Sequence, residues 1–450
     1  MQTPRPLTIP LEPPRRQDGW TLIELTVSLL VVIEVILAAL MIFDFSNELA
    51  RVQTQITDLQ QSLRVGQYEL VRMTRMAGRG GLPPITAEPV QPRWAAVEVR
   101  NNVGSGGSST DLAINFPGTP QAVAGTDILT VRGVFTSPIY QVNYAAGAFR
   151  FVTNPILKTP DLAVSGSVDL CSPTTSGVAQ DFSATSALAR AINGTVTEAL
   201  ILVSPISEAI YAVVQLDPAN STISPPGLMP ASCPAGATAG ATLAFFVKGG
   251  TYGDQYHTLS AAQTAQGLPP TLTSVALVGI VEEYRYYLRQ DYAIAGNPAS
   301  DPMPHLSRAR MFPGTEVPWQ GNLGYAQMDI ADNYVDLQVA LGLDANLDGV
   351  ITEGSPPSST DEWLYNAAND DGSALTWQYS NQGPPPRFTP LYYARISTMA
   401  RTSGRDPDYQ APPLNQIEDH AYTAGVGANS LQNRMYRRRL LQTVVGLRNE

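Results

Sequence analysis

The sequence predicts an α+β fold in which a long amino-terminal helix packs on an antiparallel β-sheet domain with large loop insertions. Three observations support this prediction: an apolar run early in the chain, an amphipathic run directly after it, and short β-like runs separated by Gly, Pro and Ser. With 450 residues, 36 glycines and 37 prolines, the chain can bury a large core but is too rich in turn residues to be mainly helical. We expect a β-rich globular domain over residues 79–450, with residues 155–240 as a possible insertion.

The first element is an apolar helix over residues 20–45. It follows a polar, proline-rich stretch, and only Glu24, Glu34, Asp44 and small hydroxyl residues interrupt its apolar character. At helical rise it would span ~39 Å, which is enough to cross a hydrocarbon core with some tilt. Because Arg15 and Arg16 precede it, the positive-inside rule leaves them in the cytoplasm and places everything after residue 45 on the other side of the inner membrane.

The same helix is predicted to continue as an amphipathic segment over residues 46–78. Apolar residues recur there in steps of three and four, whereas most charged residues fall off the stripe. The stripe consists of Leu49, Val52, Ile56, Leu59, Leu63, Leu70, Met73 and Ala77, with Gly66 filling one position. One helix from about Trp20 to Ala77 would end at Gly78 and the glycines and prolines that follow. A free coiled coil is the alternative, but the sheet-rich sequence downstream favours packing on a sheet.

The globular part is predicted to consist of short strands joined by long loops. β-branched and aromatic runs bounded by turn residues indicate the following strands. They are Asp127–Phe135, Glu198–Val203, Ala209–Gln215, Thr242–Lys248, Val275–Leu288, Tyr334–Leu341, Tyr392–Met399 and Arg434–Val445.

The boundary between the polar stretch and the apolar helix carries a specific motif, Gly19-Trp20-Thr-Leu-Ile-Glu24. It resembles the type IV prepilin signature, in which Gly precedes Phe-Thr-Leu-Ile-Glu. The resemblance implies that residues 1–19 are a leader, that prepilin peptidase cuts after Gly19, and that the new amino group of Trp20 is methylated. It also implies that Glu24 pairs with that amino group in its own chain or a neighbour during assembly. A carboxylate in apolar surroundings needs such a partner. The alternative is a single-pass anchor with one acid near the membrane face.

Further segments resemble the PilW family of minor pilins. They are Met76-Ala77-Gly78, Gly125 to Val131, Asn333 to Gly349 and Arg437 to Asn449. The resemblance implies a pilin-like fold and a structural subunit that helps initiate pilus assembly near the tip. Its partners would be major and minor pilins and a tip adhesin, and the assembled chain would be extracellular. A type II secretion pseudopilin, or a membrane-tethered periplasmic binding protein or enzyme, are the alternatives.

One loop has the ligand spacing of a calcium site. Asp344, Asn346 and Asp348 supply oxygens at positions 1, 3 and 5 of an EF-hand-type loop, Gly349 is at position 6, and the ligands continue with the Val350 carbonyl and Thr352. Position 12 is Ser355 instead of Glu, so Glu353, or Asp361 and Glu362 downstream, would complete a Ca²⁺ site. The alternative is an Asx-rich turn that needs no ion.

The two cysteines, Cys171 and Cys233, lie in Pro/Ser-rich sequence, where a pair in an oxidising compartment would readily form a disulfide. Two unpaired cysteines are the alternative.

Composition and motifs argue against two function classes. The three histidines are scattered and no nucleophile, P-loop or zinc-protease motif occurs, so we expect no enzyme. The net charge of −11 argues against nucleic-acid binding, which requires clustered Lys and Arg. The single basic cluster, Arg437-Arg438-Arg439, is interpreted as a solvated face.

Overall fold

The structure is a computed structural model. It describes residues 21–80, 82, 96–103, 122–136, 139–145, 148–151, 162–164, 168–172, 199–203, 211–216, 222–224, 238–244, 247–251, 277–292, 301–311, 313, 327–344, 346, 348–354, 361–367 and 391–447. Side chains of strands between residues 140 and 278 are outside this description. The chain divides into two compact units, Met1–Thr57 and Asp58–Glu450.

Helix α1 runs without interruption over Leu22–Arg75. Its bounds lie within two residues of the predicted Trp20–Ala77, and the first described residue after it with a left-handed backbone is Gly78, at φ +80°. Glycine adopts this conformation without steric cost, so the helix ends where the sequence predicts. The predicted long amino-terminal helix is confirmed.

The described residues form twenty strands, numbered β1 to β20 in chain order. They are Val97–Arg100, Ile128–Gly133, Tyr140–Ala145, Ala148–Phe151, Leu162–Val164, Val168–Ser172, Ala199–Val203, Tyr211–Leu216, Thr222–Ser224, Thr238–Ala244, Val247–Thr251, Leu277–Tyr292, Pro302–Met311, Gln327–Asp332, Tyr334–Leu343, Trp363–Leu364, Leu391–Arg401, Gln416–Ile417, His420–Ala421 and Arg438–Gly446. Two short 3-10 helices, Gly427–Asn429 and Asn433–Met435, precede the last strand.

The strand pairing is antiparallel throughout the described ladders. β12 is the long central strand of an eleven-stranded sheet, where it pairs with β2, β3, β7 and β13. A second sheet has the order β16-β15-β17-β20, and two small sheets, β6-β10-β9 and β18-β19, complete the described pairing. The predicted α+β class with antiparallel sheets is therefore confirmed.

Most predicted strands exist, with two corrections. The predicted strand Thr242–Lys248 is two strands, β10 and β11, which belong to different sheets. The predicted strand Arg434–Val445 begins only at Arg438, because Asn433–Met435 forms a 3-10 helix.

The main core lies where the carboxyl-terminal part of α1 meets the sheets of the second unit. Leu59, Leu63, Leu70 and Met73 of the helix are buried in one hydrophobic cluster with strand residues. Those strand residues include Leu129, Tyr286, Leu306, Leu337, Ile396 and Val445. The cluster explains why the helix is amphipathic only in this part: one face is covered by β-strands and the other is exposed.

Candidate functional site

The amino-terminal part of α1 exposes its apolar side chains on all faces. Large hydrophobic residues from Leu22 to Phe45 are 46–80% exposed. Among the described residues, α1 is the one helix long and apolar enough to cross a membrane. Exposure of these side chains to water is unfavourable, because their apolar area is not buried against other groups. It is compatible with a membrane anchor or with a signal sequence.

The first turn of this helix is closed by its own side chains. Glu24 Oε2 accepts hydrogen bonds from the Thr21 backbone N–H at 3.0 Å and from the Thr21 hydroxyl at 2.9 Å. The Glu24 backbone N–H in turn donates to Thr21 Oγ1 at 3.3 Å. This reciprocal arrangement is a capping box, which satisfies amide groups that a helix start leaves unpaired. This role of Glu24 was not predicted from the sequence, although the Thr-x-x-Glu spacing before an apolar run is its signature.

Further along the helix, Gly66 allows close contact with Tyr334 at the start of β15. A Cβ atom at Gly66 would lie 2.6 Å from Tyr334 Cζ and 2.9 Å from Leu306 Cδ2, so no larger residue fits without movement. The Tyr334 hydroxyl donates to the Leu63 carbonyl at 2.9 Å. Burial raises the pKa of Tyr334, which keeps the donating proton in place. At the position that interrupts the apolar stripe, the absence of a side chain thus makes room for the Tyr334 ring.

Polar contacts hold the same helix face in register with the strands. Glu69 Oε1 accepts from Arg308 Nη1 at 2.9 Å and from the Tyr286 hydroxyl at 3.2 Å. Gln67 is buried, and its Oε1 accepts from the Thr398 hydroxyl at 2.8 Å. These bonds join the helix to both large sheets and restrict sliding, because buried polar groups are costly when they lose their partners.

The predicted calcium loop follows β15 and is organised by its own carboxylates. Asp344 is buried, and its two oxygens accept the backbone N–H groups of Asp348 at 3.0 Å and Gly349 at 2.8 Å. Asp348 Oδ1 accepts the Val350 N–H at 2.8 Å, and Asn346 Oδ1 accepts the Asp348 N–H at 2.8 Å. Gly349 has φ +82°, as position 6 of the predicted loop requires. Both interpretations of the sequence, an ion site and an Asx-rich turn, share this geometry.

The three acids that could complete the site have different surroundings. Glu362 accepts the Thr352 N–H at 2.9 Å and the Asn346 N–H at 3.3 Å, so its carboxylate lies against the loop. Asp361 Oδ2 is buried without a hydrogen-bond partner among the described residues. Glu353 instead forms an ion pair with Arg395 at 3.0 Å. The geometry favours Glu362 over Glu353 as the acid that faces the loop.

Several predicted site residues lie outside the described residues: Gly19, Trp20 and Cys233. Cys171 is in β6, in a part of the chain where side chains are not described. No protein-family model, no curated protein and no solved structure matches this chain.

Proposed function

We propose that the chain is a minor pilin of a type IV pilus, similar to the PilW family, and that it acts as a structural subunit in starting pilus assembly near the tip. One observation carries the proposal: a single helix whose first part is apolar on every face and whose second part is built into the core of a β-rich domain. The apolar part would be held first by the inner membrane and then by the helices of neighbouring pilins.

The motif at the start of the helix supports the proposal independently. Gly19-Trp20-Thr-Leu-Ile-Glu24 spans the boundary between the polar stretch and the apolar segment, where a prepilin peptidase would cut after Gly19. Glu24 is exposed in the single chain and bonded only through Thr21 among its described contacts. A methylated amine on Trp20 of this chain or a neighbour would supply the positive partner that such an acid needs inside an apolar filament.

The experiment that tests the proposal is amino-terminal mass spectrometry of filaments sheared from cells. We expect a chain that begins at Trp20 and carries a methyl group on that amine. Recovery of the chain with residues 1–19 attached, and its absence from every filament fraction, would contradict the proposal. Retained binding of a ligand by such an uncleaved chain would favour the tethered binding protein or enzyme.

A pair of matched variants tests the role of Glu24. Glu24→Gln and Glu34→Gln each remove one carboxylate from the same apolar segment. We expect Glu24→Gln to be cleaved but to enter filaments at least tenfold less, because the pair with the Trp20 amine is lost, and Glu34→Gln to assemble as the parent does. Equal incorporation of both variants would contradict the pairing. A secretion defect without loss of pili on deletion of the chain would assign it to the type II pseudopilus.

A further inference from the structure

The last part of α1 and the turn after it are cationic, although the protein as a whole is acidic. The charged residues over positions 60–79 are Arg64, Glu69, Arg72, Arg75 and Arg79, so four of the five are arginines. The net charge of the chain is −11. A positive segment therefore lies on the surface of a protein in which acidic residues are in excess.

Three of these arginines and one tyrosine form a continuous stripe, which we call the arginine stripe: Arg64, Tyr68, Arg72 and Arg75. Spacings of three and four residues place them on one face of the helix, and all four are exposed. Gly66 belongs to the buried face and lies two residues after Arg64, which at ~100° per residue is about half a turn away. The arginine stripe is therefore on the side of α1 that faces away from the sheets.

The centre of the arginine stripe is apolar and aromatic. Tyr68 is 69% exposed and is the most exposed aromatic side chain among the described residues of the second unit, where Tyr393 follows at 40%. Val65 beside it is 47% exposed. Tyrosine and arginine are the residue types that dominate the binding energy of protein interfaces, whereas lysine and glutamate are depleted there. The composition of the stripe is thus that of a contact surface.

A solvated helix face is the alternative, and it predicts a different pattern. Solvated faces typically carry both signs of charge, with acids and bases paired three or four residues apart. The one acid of this segment, Glu69, is turned toward the sheet, where it accepts from Arg308 Nη1 at 2.9 Å, and it also pairs with Arg72 at 2.8 Å. Arg75, three residues after Arg72, adds a like charge on the same face, which is unfavourable without an anionic partner.

The helix dipole explains only part of the pattern. Arg72 and Arg75 are in the last turn, where the carboxyl-terminal end of the dipole favours cations. Arg64 lies about three turns before Arg75, beyond the reach of this effect, and Tyr68 carries no charge. Among the described residues Arg64 forms no ion pair. An acidic partner from outside the chain accounts for all four residues.

We propose that the arginine stripe binds an acidic surface on the globular domain of a neighbouring pilin. This inference rests on the proposed function and names the partner surface that the second half of α1 contacts. Guanidinium groups pair with carboxylates through parallel hydrogen bonds, and Tyr68 with Val65 would bury apolar area between those pairs. From Arg64 to Arg75 the stripe covers ~17 Å of helix, which is long enough for several carboxylates.

A protein partner fits the charge of the chain better than a nucleic acid does. Duplex DNA carries a negative charge about every 1.7 Å along its whole length, so a protein with a net charge of −11 is repelled by it beyond the contact itself. An acidic patch on a protein ends after a few side chains, and the repulsion is correspondingly smaller.

The first test is a photocross-link in assembled filaments. The full chain carries p-benzoylphenylalanine in place of Tyr68, or in place of Tyr393 as the matched control, because Tyr393 is also exposed but lies on β17, away from the stripe. After irradiation of sheared filaments, mass spectrometry should show position 68 joined to a peptide of another pilin that is rich in Asp and Glu. Position 393 should not be joined to that peptide.

The second test reverses one charge of the stripe. Arg64→Glu should enter filaments about tenfold less than the parent, because attraction to the acidic partner becomes repulsion. Arg439→Glu is the control: Arg439 is exposed, whereas its neighbours Arg437 and Arg438 bond to Asp406 and to the Asn433 carbonyl, so the predicted solvated face is confirmed only for Arg439. The control should assemble as the parent does, and a change of the cross-linked acid to arginine should restore assembly of Arg64→Glu.

The outcomes separate this inference from the proposed function. Absence of the parent chain from filaments would overturn both. A parent chain in filaments, with Arg64→Glu incorporated equally, would overturn the role of the arginine stripe alone. A cross-link from position 68 to nucleic acid, or to a peptide without acidic residues, would overturn the assignment of the partner. Equal melting temperatures of parent and Arg64→Glu show that folding is unchanged, and the cross-link decides if they differ.

Discussion

Among the described residues, some buried arginines on the β-strands form ion pairs with neighbouring glutamates, whereas Arg401 does not. Arg132 lies between Glu283 at 2.6 Å and Glu98 at 2.5 Å, and Arg285 reaches the same Glu283 at 2.9 Å. Breaking such a buried pair by removing one partner typically costs about 3–5 kcal/mol, so these residues constrain how β1, β2 and β12 align. By contrast, the Nε–H of Arg401 is buried without a hydrogen-bond partner among the described residues.

His420 is the residue whose ionisation should make stability depend on pH. Burial by itself lowers the pKa of His420, but the hydrogen bond with Asp336 at 3.1 Å and the charges of Asp336 and Asp419 outweigh it, so the pKa is raised. The ring also stacks on Tyr422, whose hydroxyl donates to Asp336. Protonated His420 therefore stabilises the folded state.

The expected result follows from the sign of that shift. Because the folded pKa lies above the unfolded value of 6.5, the stabilisation is complete below pH 6.5 and is lost as pH rises through the folded pKa. His420→Gln should remove this part of the pH dependence, so the difference in melting temperature between parent and variant should be larger at pH 5.5 than at pH 8.5. Thermal melts at both pH values measure it, and parallel pH profiles of parent and variant would contradict the role of His420.

At the scale of elements, helix α1 and the loop after β15 show how one local pattern can serve two purposes. The Thr21-x-x-Glu24 spacing closes the first turn in the single chain, and the same carboxylate is the one that the prepilin resemblance assigns to assembly. In the loop, the carboxylates of Asp344 and Asp348 organise the backbone, and the same oxygens are those that a Ca²⁺ ion would need. Backbone hydrogen bonds leave further lone pairs free, so the two uses are compatible.

The calcium site stays a prediction, and the loop geometry indicates which acidic residues would bind the ion. Calorimetric titration of the full chain with Ca²⁺ should give a binding signal that Asp348→Asn weakens at least tenfold, because a charged ligand is lost. Glu362→Gln should weaken binding more than Glu353→Gln, since Glu362 faces the loop and Glu353 is paired with Arg395. Absence of heat at millimolar Ca²⁺ would leave the Asx-rich turn as the explanation of the motif.

On the scale of the whole molecule, the division of the chain into Met1–Thr57 and Asp58–Glu450 falls inside a continuous helix. The residues of α1 after this point belong to the core of the second unit, in which Leu63 is 2% exposed and Leu70 is 0% exposed. The division therefore falls between two turns of one helix and does not coincide with the end of a secondary-structure element.

Two truncations test where the folding unit begins. A chain that starts at Asp58 keeps the buried helix face and should be soluble without detergent and melt cooperatively. A chain that starts at Met76 loses Leu59, Leu63, Leu70 and Met73 from the core. Removal of large buried side chains costs about 2–5 kcal/mol each, so this second chain should not fold. Circular dichroism melts compare the two, and equal stability would contradict the assignment of the helix to the core.

Local patterns determined much of this structure. The period of apolar residues predicted α1 to within two residues at each end, and β-branched runs predicted strands such as β2, β7, β12, β15 and β17 close to their observed bounds. The strand β13 was missed because Pro302 and Pro304 are atypical of a strand, although Pro304 has its partner in Gln290 of β12. The loop geometry around Asp344 was also predicted, since Asp, Asn and Gly act on their own neighbouring backbone.

The sequence alone determined the apolar helix, its amphipathic continuation, the β-rich composition and the conformation of short turns, because each depends on residues within a few positions of one another. Only the tertiary structure decided which strands pair and that Gly66 lies against the Tyr334 ring. The same holds for Arg401 and Arg438, which line one cavity whose described walls contain no aspartate or glutamate. Those features depend on contacts between residues far apart in the chain. The free energy that such contacts contribute through burial and strand pairing cannot be read from the local periodicity of the sequence.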